Sequence, residues 1–288
     1  MPELPEVETV KRGLVKALVG KKISGFESDW HRAVNRPVKQ YQRILKGLKI
    51  LGVRRRARML ILDLSQDWKI FIHLKMTGQL VFRDKKKCLI GGHSIAKSCA
   101  NLPNKFTHAI FSFSDGSNLY FNDVRKFGWV RLFTGEQLTE VIERMELGPE
   151  PLSKEFSVKY LIEAMTKRSR SKVKQFIMDN QVVVGVGNIY SDEVCFYARV
   201  RPDRPVGTIK QAQVKKIHDG ILKILKAAIK AQGTTFSNYV NADGEAGAYT
   251  KKLKVYQRYG KKCYHCKSIV KRMKIGGRTS SYCPRCQK

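Results

Sequence analysis

The sequence predicts an α+β fold of several domains, and three features predict it. Apolar residues recur at helical spacing at the start and then in short runs through the first half. Helical spacing returns in the second half, and two tight cysteine pairs close the chain. With 288 residues, 42% of them hydrophobic, the chain is long enough to bury ordinary cores in about two domains.

The elements follow in order. Val7, Val10, Leu14 and Leu18 share one helical face, so an amphipathic helix is expected from about Pro5 to Leu18, ending near Gly20. Pro5 suits a first helical position, and Glu6 and Glu8 complement the positive end of the helix dipole. Leu51 to Arg56, Arg58 to Leu64, Lys69 to Leu74, His108 to Phe113, Leu119 to Asn122 and Trp129 to Phe133 read as short strands. Asp115-Gly116 is a hairpin turn among them, and repeated strands of this kind indicate a sandwich or barrel. The polar stretch from Arg83 to Lys105 reads as a long surface loop. From Glu136 the pattern turns helical, with Gly148-Pro149-Glu150-Pro151 as a linker. Ser157 to Met165, Val173 to Met178, Asn188 to Tyr197 and Lys210 to Ala231 are further helices, the last carrying Val214, Ile217, Ile221, Leu225 and Ala228 on one face. A glycine-bearing loop follows Gly233.

Fifty-six Lys and Arg against twenty-four Asp and Glu give a net charge of +32, more than solubility requires, so a polyanion is the expected partner. No apolar run is long enough to span a bilayer, and the acidic start does not resemble a signal peptide, which favours nucleic acid over membrane. Cys263-x2-Cys266 and Cys283-x2-Cys286 have the spacing of a four-thiolate zinc site; a pair of disulfides is the competing reading. Four thiolates leave no open position, so one zinc there is structural. Residues 251–288 carry thirteen Lys or Arg and no Asp or Glu, which makes this unit a cationic arm suited to phosphate. Cys88, Cys99 and Cys195 read as unpaired thiols in a reducing compartment.

Two further stretches invite chemistry. Removal of Met1 would leave Pro2 with a free secondary amine, titrating near pH ~8, which can attack a sugar carbon and form an iminium, with Glu3 beside it to move protons. Gly185-Val186-Gly187-Asn188 before a helix lets backbone N–H groups approach an anion, with Asn188 capping the helix or donating to phosphate. The basic run from Lys167 to Lys172 precedes it.

The start Pro2-Glu3-Leu4-Pro5-Glu6-Val7-Glu8, the stretch Gly185-Val186-Gly187-Asn188-Ile189-Tyr190 and the ending Cys283-Pro284-Arg285-Cys286-Gln287-Lys288 together resemble the bacterial formamidopyrimidine-DNA glycosylase (MutM) family. The likeness covers the chain except the stretch from Arg83 to Lys105, which is longer than usual. It implies an N-terminal β-sandwich with flanking helices (1–134), a helix–two-turn–helix domain with a lesion-recognition loop (135–250) and a four-cysteine zinc-finger β-hairpin (251–288), with DNA between two lobes. It implies a base-excision-repair glycosylase and abasic-site lyase that acts on double-stranded DNA holding oxidised purines, such as 8-oxoguanine and formamidopyrimidines, or abasic sites. Pro2 would form the Schiff base, Glu3 would donate a proton to the sugar, and β- and δ-elimination would follow. Arg278 matches the finger arginine that binds phosphate and aids δ-elimination. Met76, Arg125 and Phe127 match the side chains that fill the space left by the extruded base, and Asn188 and Arg170 match phosphate ligands. The stretch from Thr234 to Lys251 resembles the loop that closes over the flipped base. A cytoplasmic, nucleoid-associated location without membrane or obligate protein partner goes with it.

Two positions depart from the family. Arg58 stands where the family has a lysine proton donor, and arginine hardly exchanges a proton at neutral pH. Phe106 stands for the first of two histidines near a DNA contact, so one phosphate contact is either missing or supplied by Lys105. The alternatives are an endonuclease VIII-like enzyme for oxidised pyrimidines, against which Leu4 and the separate Met76 and Arg125/Phe127 wedges argue, and a non-catalytic damaged-DNA-binding homologue.

Overall fold

The computed structural model describes residues 1–85, 88–93, 101–234, 239–240 and 248–288. The chain divides into two compact units, Met1–Met145 with Ala231–Thr250, and Glu146–Lys230 with Lys251–Lys288.

The first unit opens with helix α1 (Leu4–Leu18), one residue earlier than expected, with Pro5 in its first turn. Strand β1 (Ile23–Ser28) and helix α2 (Val38–Leu45) follow, then β2 (Ile50–Arg56), β3 (Met59–Leu64), β4 (Trp68–His73), β5 (Gly78–Arg83), β6 (Cys88–His93), β7 (Thr107–Phe113), β8 (Asn118–Asp123), β9 (Trp129–Thr134) and helix α3 (Gly135–Glu143). One sheet has the order β2-β3-β4-β9. The other runs β1-β7-β8-β5-β6 and ends on β10 (Tyr239–Val240). Their inner faces share one core, in which Leu60, Leu62, Ile70, Ile72 and Val130 of the first sheet join Phe26, Phe111, Leu80, Leu119 and Phe121 of the second, with Val7, Val10 and Leu14 of α1 and Tyr41 and Leu45 of α2. This is the β-sandwich with flanking helices.

Three expectations need correction here. The stretch from Arg83 to Lys105 is not all loop, because β6 pairs with β5 along Gln79↔Gly92 to Arg83↔Cys88. Its partners lie elsewhere in the sequence, so local polarity hid it. Arg58 is not in a strand; it sits in the turn between β2 and β3, after Ala57 at φ 53°. Cys88 is disulfide-bonded rather than a free thiol, since pairing cannot be read from the position of a cysteine in sequence. Cys195 is a free buried thiol. Cys99 and most of the stretch from Thr234 to Lys251 lie outside the described residues.

The second unit holds α4 (Val158–Lys167), α5 (Val173–Met178), α6 (Asn188–Ala198), α7 (Gln211–Lys230) and a hairpin of β11 (Lys271–Ile275) and β12 (Arg278–Tyr282). Val214, Ile217, Ile221, Leu225 and Ala228, the expected face of α7, are all buried. Among the described residues no helix is long and apolar enough to cross a membrane.

Candidate nucleic-acid and catalytic site

At the start of α1, Pro2 and Glu3 are buried, while Met1 is 45% exposed. Glu3 is the N-cap, and it forms a capping box with Glu6, whose Oε2 accepts the Glu3 N–H at 3.0 Å. The other oxygen of Glu6, Oε1, accepts both the N–H (2.8 Å) and the hydroxyl (3.0 Å) of Thr234. Glu6 is thus more than a complement to the helix dipole: one buried carboxylate joins the backbone of Glu3 to the first residue of the loop that follows Gly233. Glu8 instead serves the outside of the helix, pairing with Arg55 at 3.1 Å and with Lys11 and Arg12.

Arg58 is only 7% exposed. Met59, its neighbour, pairs across the sheet with His73, and burial together with the charges of Lys75 and Arg58 pushes His73 down to about 3. The neutral ring accepts the Lys75 N–H on Nδ1 at 2.9 Å, which shapes the turn leading to Met76. Met76 is 44% and Phe127 51% exposed, so both large apolar groups stand at the surface. The Arg125 guanidinium lies 4.6 Å from the centre of the Phe127 ring, a cation–π arrangement that holds both side chains outside the core.

Asp123, which sequence reasoning passed over, organises this turn. Its fully buried carboxylate accepts the N–H of Arg125 (3.1 Å), Phe127 (2.9 Å) and Gly128 (2.7 Å) and the hydroxyl of Thr77. The Arg125 N–H also reaches Thr77 Oγ1 at 3.1 Å, so the turn bearing Met76 and the turn bearing Arg125 and Phe127 are tied together. An Asp followed by N–H donors two to five residues on is the signal that was there to read. His108 is an internal support: its ring meets Asp29 Oδ1 at 2.9 Å and the Asp123 carbonyl at 3.1 Å, and it is 2% exposed.

In the second unit Gly187, not Asn188, is the N-cap of α6, so Asn188 is the first helical residue and caps nothing. Its Oδ1 is buried and has no hydrogen-bond partner among the described residues. Arg170 is exposed, whereas Arg168 in the same basic run is bound to Asp179 and to Gln181 Oε1.

The four cysteine Sγ atoms lie within 4.8 Å of one another, with Cys266–Cys283 at 3.3 Å and Cys263–Cys286 at 4.0 Å, and all four are free thiols. Zn–S bonds of about 2.3 Å in a tetrahedron need such separations, so the set fits one structural zinc. Gly276 and Gly277, both at positive φ (53° and 75°), make the two-residue turn of the hairpin, and the exposed Arg278 follows directly. Asp192 and Glu193 of α6 hold this finger. Asp192 accepts Lys174 Nζ (2.7 Å), Ser280 Oγ (2.5 Å) and Ser281 N–H (2.8 Å), and Glu193 takes the N–H groups of Lys254, Val255 and Tyr256, each at 2.9 Å.

Family models match three parts of the chain: the formamidopyrimidine-DNA glycosylase N-terminal domain at residues 1–130, the H2TH domain of that enzyme at 147–240, and a zinc finger found in FPG and IleRS at 260–288. The chain is 39% identical to the formamidopyrimidine-DNA glycosylase of Bacillus licheniformis and 38% to that of Halalkalibacterium halodurans, with all of each chain covered. Among solved structures it is similar to a Lactococcus lactis FPG mutant in complex with Fapy-dG containing DNA, with a TM-score of 0.88, 32% identity and full coverage of both chains. It is similar, at a TM-score of 0.87, 32% identity and full coverage, to the wild-type L. lactis protein in complex with DNA containing an oxidised pyrimidine. The chain belongs to the formamidopyrimidine-DNA glycosylase family.

Proposed function

We propose that this protein is a base-excision-repair DNA glycosylase and abasic-site lyase that removes oxidised purines from double-stranded DNA, working in the cytoplasm on the nucleoid. The observation that carries the reading is the start of α1, where Pro2 and Glu3 are buried side by side and Glu3 caps the helix in a box shared with Glu6. With Met1 removed, the Pro2 nitrogen attacks C1′ of the damaged nucleotide as the C1′–base bond breaks, its pair going to the base, which takes up a proton from solvent while the Pro2 N–H proton is lost to solvent. Glu3 then supplies a proton to O4′ as the C1′–O4′ bond breaks, and this ring opening gives the iminium that links enzyme and sugar. The iminium acidifies the C2′ proton, so β-elimination and then δ-elimination cut the strand.

The remaining groups have supporting tasks. Met76, Arg125 and Phe127 fill the vacated stack, with Arg125 facing the orphaned base; apolar wedges between base steps offset lost stacking. Arg58 contributes positive charge near the nucleophile. Asn188, Arg170 and the finger arginine Arg278 bind phosphate, and Arg278 also aids δ-elimination. Zinc carries no step of the chemistry: Cys263, Cys266, Cys283 and Cys286 use it to fix the hairpin on which Arg278 stands. Domains 1–134, 135–250 and 251–288 divide these tasks into nucleophile and wedges, phosphate contacts with the recognition loop, and finger.

Borohydride trapping tests the reading. Mature protein incubated with an 8-oxoguanine duplex and borohydride should give a covalent complex mapped to Pro2. A Pro2→Gly variant that traps at an internal lysine with full activity would refute the assignment.

A further inference from the structure

The zinc finger has one end at Arg278 and another that the repair reading does not use. Arg278 opens β12, next to the Gly276–Gly277 turn, while Cys283 and Cys286 come after Tyr282, the last residue of that strand. At about 3.3 Å per strand residue, the cysteine end stands roughly 13 Å from Arg278. At that end a cleft of about 600 Å³ opens between the end of α6, the start of α7 and the two cysteine turns. Arg199, Arg285, Lys288, His265 and Gln213 line it, with no Asp or Glu among its described lining residues. The buried ligands Cys263 and Cys283 stay out of its wall, so the cleft lies outside the metal position. Arg199 Nη2 and His265 Nε2 are 3.4 Å apart.

Tyr264 precedes His265 in the first cysteine turn, and it is 58% exposed. The Arg258 guanidinium lies 3.5 Å from the centre of the Tyr264 ring. It is fixed there because Nη1 and Nη2 donate to the Lys254 and Lys262 carbonyl oxygens, each at 2.9 Å. Lys254 Nζ is 5.1 Å from the centre of the same ring. Ring and guanidinium thus form one preformed layer, which needs little further ordering when something stacks on it. Neighbouring Cα atoms are about 3.8 Å apart, so the layer at Tyr264 adjoins the cleft at His265.

We propose that this face binds single-stranded nucleic acid, with an unpaired base stacked on Tyr264 and the adjoining phosphate in the cleft against Arg199, Arg285 and Lys288. Charge selects the class of partner, since residues 251–288 hold thirteen Lys or Arg and no Asp or Glu. The ring selects the strand state. A base stacks on an aromatic side chain only when its flat face is open, which a paired base inside a duplex does not offer, and a layer of Tyr and Arg accepts any unpaired base. The site is separate from the Pro2 chemistry and does not rest on it.

The test uses the zinc-loaded full chain saturated with an uncleavable abasic-analogue duplex, to which a fluorescein-labelled single strand of about a dozen nucleotides is added. Fluorescence anisotropy should show the strand binding beside the duplex. Tyr264→Leu, which keeps apolar bulk but loses the ring, should weaken strand binding roughly tenfold, while Tyr264→Phe matches the parent. Arg199→Gln should reduce the steepness of log affinity against log salt by about 0.7, the value for one phosphate contact on a single strand, and Tyr264→Leu should leave that slope unchanged. Each variant should keep one zinc, bind the duplex and give the parent's rate of borohydride trapping. Exclusion of the strand by the duplex would overturn the proposal, and so would binding by Tyr264→Leu within about twofold of the parent. Should Tyr264→Leu lose zinc, Arg199→Gln decides, and an unchanged slope there overturns the proposal. A polyglutamate peptide that competes as well as the strand, on parent and Tyr264→Leu alike, would make the face a docking surface for acidic proteins and overturn it too.

Discussion

Replacing Asp123 by Asn removes one acceptor oxygen from a fully buried position that serves four donors. The amide oxygen can keep the Phe127 and Gly128 N–H groups, which are the shorter pair at 2.9 and 2.7 Å. Its NH2 group then faces the Arg125 N–H, 3.1 Å away in the parent, and the Thr77 hydroxyl. The hydroxyl can rotate to accept, but the Arg125 N–H keeps only its 3.1 Å contact to Thr77 Oγ1, and loss of its carboxylate acceptor to a facing NH2 group costs about 1–3 kcal/mol. The two retained bonds lose their charge assistance at about 1 kcal/mol each. The sum is about 3–5 kcal/mol, against about 0.5 for an ordinary surface change. Urea unfolding of the zinc-loaded protein, followed by tryptophan fluorescence, should show that loss in the transition of the first unit. Because the affected turns bear Met76, Arg125 and Phe127, 8-oxoguanine excision should fall more than cleavage at a preformed abasic site, where no base has to be displaced. A variant within about 0.5 kcal/mol of the parent, with an unchanged ratio of the two activities, would refute the role given to Asp123.

Two further outcomes are expected. Each chain should carry one zinc by elemental analysis, and chelation should abolish DNA binding while leaving unfolding of the first unit unchanged, because the hairpin bearing Arg278 depends on the metal; active protein without zinc would contradict this. Arg58→Lys should raise 8-oxoguanine excision with little change at a preformed abasic site, since a lysine buried beside Lys75 and His73 has a lowered pKa and can exchange a proton. Single-turnover rates on both duplexes decide it: equal rates would mean that Arg58 supplies charge alone, and slower excision would mean that the site is built around arginine.

The parts legible in the sequence were those fixed by local pattern. The face of α7, the core strands from β2 to β4, the β7–β8 hairpin and the cysteine spacing all follow from periodicity, turn residues or ligand geometry, and the structure shifts their ends by one or two residues. What escaped was fixed by distant partners. β1 has only Ile23 and Phe26 as large apolar residues and a register shift after Ile23, so its alternation is broken. β6 owes its place to Val10 of α1 and to β5, neither of which its own residues announce. At the site, the sequence named the outward-facing Met76, Arg125, Phe127, Arg170 and Arg278, and also the buried Pro2, Glu3 and Arg58. Those that hold them, Glu6, Asp123, Asp192 and Glu193, read as ordinary acids, because a carboxylate looks the same in sequence whether it meets solvent or three backbone N–H groups.

That division has a physical basis in the charge of the chain. With twenty-four acidic residues against fifty-six basic ones, each carboxylate on the surface would cancel part of the field that draws DNA. Loops and turns have the opposite need, since their backbone N–H groups lack strand or helix partners and must be satisfied where they are buried. A carboxylate has two oxygens with several acceptor sites and is the strongest acceptor available for such donors. Burying Glu6, Asp123, Asp192 and Glu193 under loop N–H groups meets the second need without opposing the first. The loops so fixed are the ones that carry the exposed cations and wedges: Asp123 sets Arg125 and Phe127, and Asp192 binds Ser280 and Ser281 two and three residues after Arg278. These few buried acids thus lie behind the residues they fix and determine where that positive charge stands.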